Sequence, residues 1–148
     1  MPETVSFGDD ILKLIFNATA IPNIADDAVA TPATQYYISL HKADPGESGD
    51  QTSGEIVYAG YARVAVPRTT VGWTILNGTV SLAAAVQFPP PTALTDKSAS
   101  YCGIGTVLTG AGRLLYRIPL APEITFIIGQ PPRIDNLPPP SKLSGDWD

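Results

Sequence analysis

Residues 36–66 read YYISLHKADPGESGDQTSGEIVYAGYARVAV. The stretch opens as a strand, dissolves into a loop of carboxylates and glycines, and returns as a second strand. In QYYISLH, residues 35–41, Tyr37, Ser39 and His41 alternate with Tyr36, Ile38 and Leu40. That period of two places successive side chains on opposite faces of a sheet. ARVAVPR, residues 62–68, alternates likewise. Pro67 marks its end or an exposed edge, because proline has no N–H to give to a ladder.

The same reading extends outward. GWTILNGTVSLA, residues 72–83, holds Asn77-Gly78 between two apolar runs, a strong hairpin signal. AAVQFP, YCGIGTVL, GRLLYRIPL and EITFIIG follow, each bounded by glycine, proline or Asx residues. Roughly seven short strands with such punctuation every ~8–12 residues indicate a mainly β chain. The expected fold is an antiparallel β-sandwich or barrel, jelly-roll-like, rather than a set of βαβ units. The predicted core is Tyr37 or Ile38, Val64, Val66, Trp73, Ile75, Val80, Phe88, Ile104, Leu115 and Phe126.

Ahead of the strands, SFGDDILKLIFNA, residues 6–18, predicts one short amphipathic helix. Ile11, Leu14, Ile15 and Ala18 fall on one stripe. Asp9 and Asp10 sit where an N-cap and the positive end of the helix dipole favour carboxylates. About three turns are marginal alone, so the helix must pack on a sheet or a neighbour. Past the strands, residues 130–148 carry Pro131-Pro132 and Pro138 to Pro140, which predict an extended, polyproline-like arm. The organisation expected is a helix and irregular connection over 1–34, a β-domain over 35–129 and an arm over 130–148.

With 148 residues the chain can bury a core without metals or disulfides. No stretch reaches the ~20 apolar residues of a membrane helix, and ILKLIF lacks the flanks of a signal peptide. Cys102 is alone, which excludes an internal disulfide and a cysteine-based zinc site, and suits synthesis in a reducing cytoplasm. The net charge of −5 and the scattered basic residues argue against a nucleic-acid partner.

Each chemically suggestive residue has a structural reading that outweighs the functional one. His41 lies near Asp44 and Ser48, yet no nucleophile elbow accompanies it; it is expected to anchor the loop by hydrogen bonds. Asp44, Glu47 and Asp50 lack the spacing of a calcium loop and read as an exposed acidic tip, while Asp26-Asp27 is weaker still. Gly103, Gly105, Gly110 and Gly112 lack phosphate-loop spacing; Gly105 is expected to allow a close backbone approach and TGAG to make a turn. Asn17-Ala18-Thr19 and Asn77-Gly78-Thr79 are chance glycosylation patterns. Cys102 reads as a small core residue. No catalytic residue, cofactor or metal site is expected.

DDILKLIFNATAIPNIAD, the 36–66 stretch, GWTI, VQFP and GIGTVLTGAGRLLY together resemble a family of small bacteriophage virion proteins. Its members pair SLHTADPGE…Q…E…YTGYARV with a later FP strand and a G-x-G-T…SGAGKLLY segment. The resemblance covers roughly residues 9–118; beyond it, proline and SGDWD replace the further strands such members show. Proteins of this family are labelled tail-fibre or minor structural proteins, and some of this class act as capsid cement or decoration.

The resemblance implies a non-enzymatic virion protein, made in the host cytoplasm, that grips its neighbours. The leading reading is a capsid cement protein on the capsid exterior, bound to the major capsid protein or other virion proteins and self-associating as a dimer or trimer. The alternative is a tail part: fibre, adaptor or receptor-binding protein. A third is a carbohydrate- or calcium-binding module with Trp73, Tyr58 and Tyr61 as a sugar platform. The expected contact residues are Ile134, Leu137, Leu143 and Trp147 in the arm and Asp44, Glu47 and Asp50 at the tip.

Overall fold

The computed structural model describes residues 3–17, 19–22, 24, 33–76 and 79–136. One helix, α1 (Val5–Asn17), precedes ten strands among these residues. They are β1 (Gln35–His41), β2 (Tyr58–Ala59), β3 (Val64–Pro67), β4 (Trp73–Leu76), β5 (Thr79–Leu82), β6 (Val86–Gln87), β7 (Ala93–Leu94), β8 (Ser98–Gly105), β9 (Leu114–Thr125) and β10 (Arg133–Ile134). The chain is mainly β and every pairing is antiparallel.

The central sheet has the order β3-β1-β8-β9, with three two-stranded ribbons, β4-β5, β2-β7 and β6-β10, around it. It is open, with β3 and β9 at its two edges. The architecture is therefore sandwich-like and not a closed barrel. Pro67 ends the edge strand β3, as its missing donor requires. β9 spans what reads as two strands in sequence. Pro119 and Pro122 do not interrupt it, because an edge strand leaves one row of N–H positions unpaired anyway.

Registry explains the core. Ile38 pairs with Ile104 and Ile104 with Tyr116, while Leu40 pairs with Cys102 and Cys102 with Ile118. These two rungs share one face, and all six side chains are buried. Val66, Val80, Leu82, Val86, Phe88, Phe126 and Ile134 close the core against that face. Burial pushes the Cys102 thiol up to about 12, so it stays a neutral core residue.

The helix begins one residue earlier than the sequence suggests, at Val5, and its first turn carries no acid. Asp9 and Asp10 therefore do not cap it. The residue at the cap position is Thr4, whose buried hydroxyl donates instead to the Leu114 carbonyl at 2.8 Å. Phe7 anchors the helix, meeting Tyr116 edge to face with ring centroids 5.4 Å apart. Ile11 packs partly against the core. The side chains of Leu14 and Ile15, and Ala18, lie outside the described residues, as do Asp26, Asp27, Asn77-Gly78 and the side chain of Ile75.

Candidate functional site

The second face of the central sheet carries Tyr37, Ser39 and His41 on β1, Gly105, Gly103 and Tyr101 on β8, and Leu114, Arg117 and Pro119 on β9. An exposed polar face would suit the alternation seen in sequence. Instead Ser39 and His41 are both fully buried, because residues 42–57 fold back over this face. The loop is tied down by backbone bonds from Val5 to Glu47, from Gln51 to Ala111, and from Lys42 to Gly54.

Two glycines make the room. A β-carbon at Gly103 would lie 2.6 Å from Leu114 Cδ1 and 2.9 Å from both His41 Nε2 and Ser39 Oγ. One at Gly105 would lie 2.0 Å from Gln51 Cδ. The close approach expected at Gly105 is real, but what approaches is a glutamine side chain and not backbone. Gln51, fully buried, accepts from the amides of Thr106 and Val107, each at 3.0 Å, and donates to the Val107 carbonyl at 3.1 Å. The turn below it uses Gly110 and Gly112 at positive φ, 86° and 48°, where a β-carbon is strained.

His41 is held at both nitrogens. Nδ1 lies 2.8 Å from the Ser53 carbonyl, which only accepts, so Nδ1 carries the proton. Nε2 then accepts from the Ser39 hydroxyl at 2.8 Å. Burial holds the His41 pKa below its ordinary value, against the upward pull of the Ser53 bond and of Glu55. The loop-anchoring role read from sequence matches this geometry.

Beside it lies a charged pair. Arg63 is buried and donates to Glu55 twice, Nε to Oε1 at 2.7 Å and Nη2 to Oε2 at 2.8 Å, with Nη1 to the Val107 carbonyl at 3.0 Å. Such a two-pronged pair satisfies a desolvated guanidinium, and the bond to Glu55 raises the Arg63 pKa. The Tyr61 hydroxyl donates to Glu55 at 2.9 Å and accepts from the Leu40 amide at 3.0 Å. Burial, then Glu55, raises its pKa. Gln51, Glu55 and Arg63 escaped the sequence reading; Gln51 and Arg63 share the Val107 carbonyl, which is remote from both in the chain.

The acidic tip does not converge into a ligand set. Arg117 pairs with Asp44, and lies 3.7 Å from Glu47. Asp50 instead accepts from the Thr52 amide at 2.8 Å, closing a turn. Burial works to raise the Asp44 pKa, but the Gly46 amide and Arg117 outweigh it and the net direction is down. No group of three or more acids, histidines or cysteines among the described residues is placed to hold a metal ion.

The aromatic residues considered as a sugar platform are taken up elsewhere. Tyr58 is buried, donates to the Pro89 carbonyl at 2.7 Å, and meets Tyr61 edge to face. Tyr61 stacks on Phe88. Trp73 lines a separate groove of about 520 Å³ between α1 and the β4-β5 hairpin. Phe7, Tyr36, Trp73 and Tyr116 form its aromatic walls, and Arg68, Thr69 and Thr70 its polar rim.

Of the expected arm contacts, Ile134 is 3 % exposed and pairs with Val86 in the chain's own core. A residue buried there has little surface to offer a neighbour. Leu137, Leu143 and Trp147 lie outside the described residues.

With this geometry in place, residues 10–136 match the family model described as Podophage GP4 fiber I protein gp80. The chain belongs to this family. The match takes in the whole central sheet, the acidic loop and β10, so the buried polar cluster lies within the family region. It identifies a phage structural protein family. Among curated proteins, none matches the chain.

Proposed function

We propose that the chain is a non-enzymatic component of the virion, built into the fibre apparatus as an adaptor or accessory part. The observation that carries this is the match to a fibre protein family over residues 10–136. The site geometry supports it. The groups able to do acid–base chemistry, His41, Glu55 and Tyr61, are all engaged in holding the 42–57 loop onto the sheet. The hydroxyl beside His41, Ser39 Oγ, is fully buried together with it, which does not suit attack on a substrate.

The contacts proposed are the exposed edge of the tip, at Glu47 and the outer side of Asp44 and Asp50, together with Leu143 and Trp147 beyond β10. An aromatic anchor and an apolar neighbour are what a partner groove takes up. Phe16, Val71 and Ile128 are exposed apolar side chains on the domain itself and add surface to the same purpose.

Capsid cement is the second reading. What favours it is the form of the domain: among the described residues it is one open sheet with three short ribbons, without a repeated unit of the kind a fibre shaft stacks along its axis. Cryo-electron microscopy of the particle separates the two. Density for the chain at the tail supports the fibre reading; density over the shell replaces it with cement.

A further inference from the structure

Of the five arginines in the chain, four pair with carboxylates: Arg63 with Glu55, Arg113 with Asp10, Arg117 with Asp44 and Arg133 with Asp135. Arg68 has no carboxylate partner among the described residues. Its guanidinium donates to the Ala33 carbonyl at 3.2 Å and to the Ile24 carbonyl at 2.9 Å, and its Cζ lies 5.7 Å from the centre of the Tyr36 ring. The carbonyls satisfy hydrogen bonds and the ring face attracts a cation, but none of them supplies a negative charge. Arg68 is half-buried, and a partly desolvated cation without a counter-charge is under-compensated.

The same side chain borders the groove of about 520 Å³ between α1 and the β4-β5 hairpin. It is the single charged residue among the described lining residues, which are otherwise aromatic, aliphatic or threonine. A cavity of this size and lining is of the kind that takes a ligand. Its complement has two parts. An apolar body displaces water from the aromatic walls, and a carboxylate matches the planar fork of the guanidinium. A polypeptide supplies both wherever a large apolar residue stands beside Asp or Glu. Apolar surface also continues past the groove, since Val71, next in the chain to the lining Thr69 and Thr70, is 74 % exposed. A small acid held in the groove leaves Val71 bare; a peptide segment has the length to run over it.

We propose that the groove beside α1 docks a segment of a partner protein that carries a large apolar side chain next to a carboxylate. The apolar side chain lies among Phe7, Trp73 and Tyr116, and the carboxylate pairs with Arg68. This goes beyond the virion reading and does not rest on it, because binding is measured on the purified chain.

The test is an NMR titration of the full chain, read at the methyl groups of Val80, Ile104 and Leu115, which line the groove. The probe is the peptide acetyl-Gly-Phe-Asp-Gly-amide, and the Val57 methyls, outside the groove, are the control. Saturable shifts are expected at the three groove residues and not at Val57. The counterpart acetyl-Gly-Phe-Asn-Gly-amide, equal in shape but neutral, is expected to bind about tenfold more weakly. Arg68→Gln should bring the two peptides to equal affinity; the comparison of peptides on the unaltered chain stands even where that variant fails to fold. Absence of saturable shifts overturns the proposal, and so does equal affinity of the two peptides for the unaltered chain. Phenylbutyrate binding more tightly than the Asp peptide overturns it in favour of a small acid. Peptide binding seen only with Trp147→Ala overturns it in favour of the chain's own tail.

Discussion

Gln51 occupies the space that a β-carbon on Gly105 would need, its Cδ lying 2.0 Å from that position. The pair explains why a polar side chain from an acidic loop can be fully buried over a sheet. The glycine opens the pocket, and residues 106–107 supply all three hydrogen bonds. Gly105→Ala should therefore displace the amide and cost about 2–4 kcal/mol, within the range of overpacking plus lost buried bonds. Gln51→Ala should cost a similar amount by leaving the Thr106 and Val107 amides without acceptor. Urea unfolding of each variant measures this, and a loss below ~0.5 kcal/mol in both contradicts it.

Arg63 depends on Glu55. Removing the carboxylate strands a buried guanidinium, so Glu55→Ala should destabilise by about 3–5 kcal/mol. Converting both residues to apolar ones of similar size should cost less than the single change. A double change that costs as much as the sum of the single changes speaks against the coupling.

Phe7 carries the helix. Phe7→Ala removes its contact with Tyr116 and should cost about 3–5 kcal/mol if α1 is part of the folding unit. Hydrogen exchange reports this as early loss of protection in residues 5–17, and unchanged protection there contradicts it.

The pH dependence follows from His41. Its folded pKa lies below the ordinary 6.5, so the unfolded chain takes up a proton that the native state refuses. Stability from this group is complete above pH ~6.5, falls as pH drops through that value, and levels off below the folded pKa. His41→Gln should flatten the stability profile between about pH 7 and 5. Asp44 and Asp50, both shifted down from 3.8, add a further loss only below that. An unaltered slope in the variant assigns the dependence to another group.

Much of the fold is legible in the chain because local period and punctuation agree there. Residues 35–41 form β1 with the boundaries the alternation indicates, and 73–76 pair with 79–82 as a hairpin. What the sequence conceals is set by distant partners. Alternation on β1 separates two faces but does not show that a loop covers the one bearing Ser39 and His41. Gln51 looks like a solvated loop residue until the amides of 106–107 are brought to it. The prolines of β9 read as breaks because their tolerance depends on edge position, a property of the sheet and not of the segment. Ile134 reads as part of an arm because its partner, Val86, lies 48 positions earlier.

The central claim is that this chain is a part of the particle. Quantitative mass spectrometry of gradient-purified infectious particles, with isotope-labelled peptides from residues 35–129 as standards, tests it most directly. The account predicts a fixed number of copies per particle, unchanged through a second gradient. Particles that remain infectious and contain none of it would contradict the account.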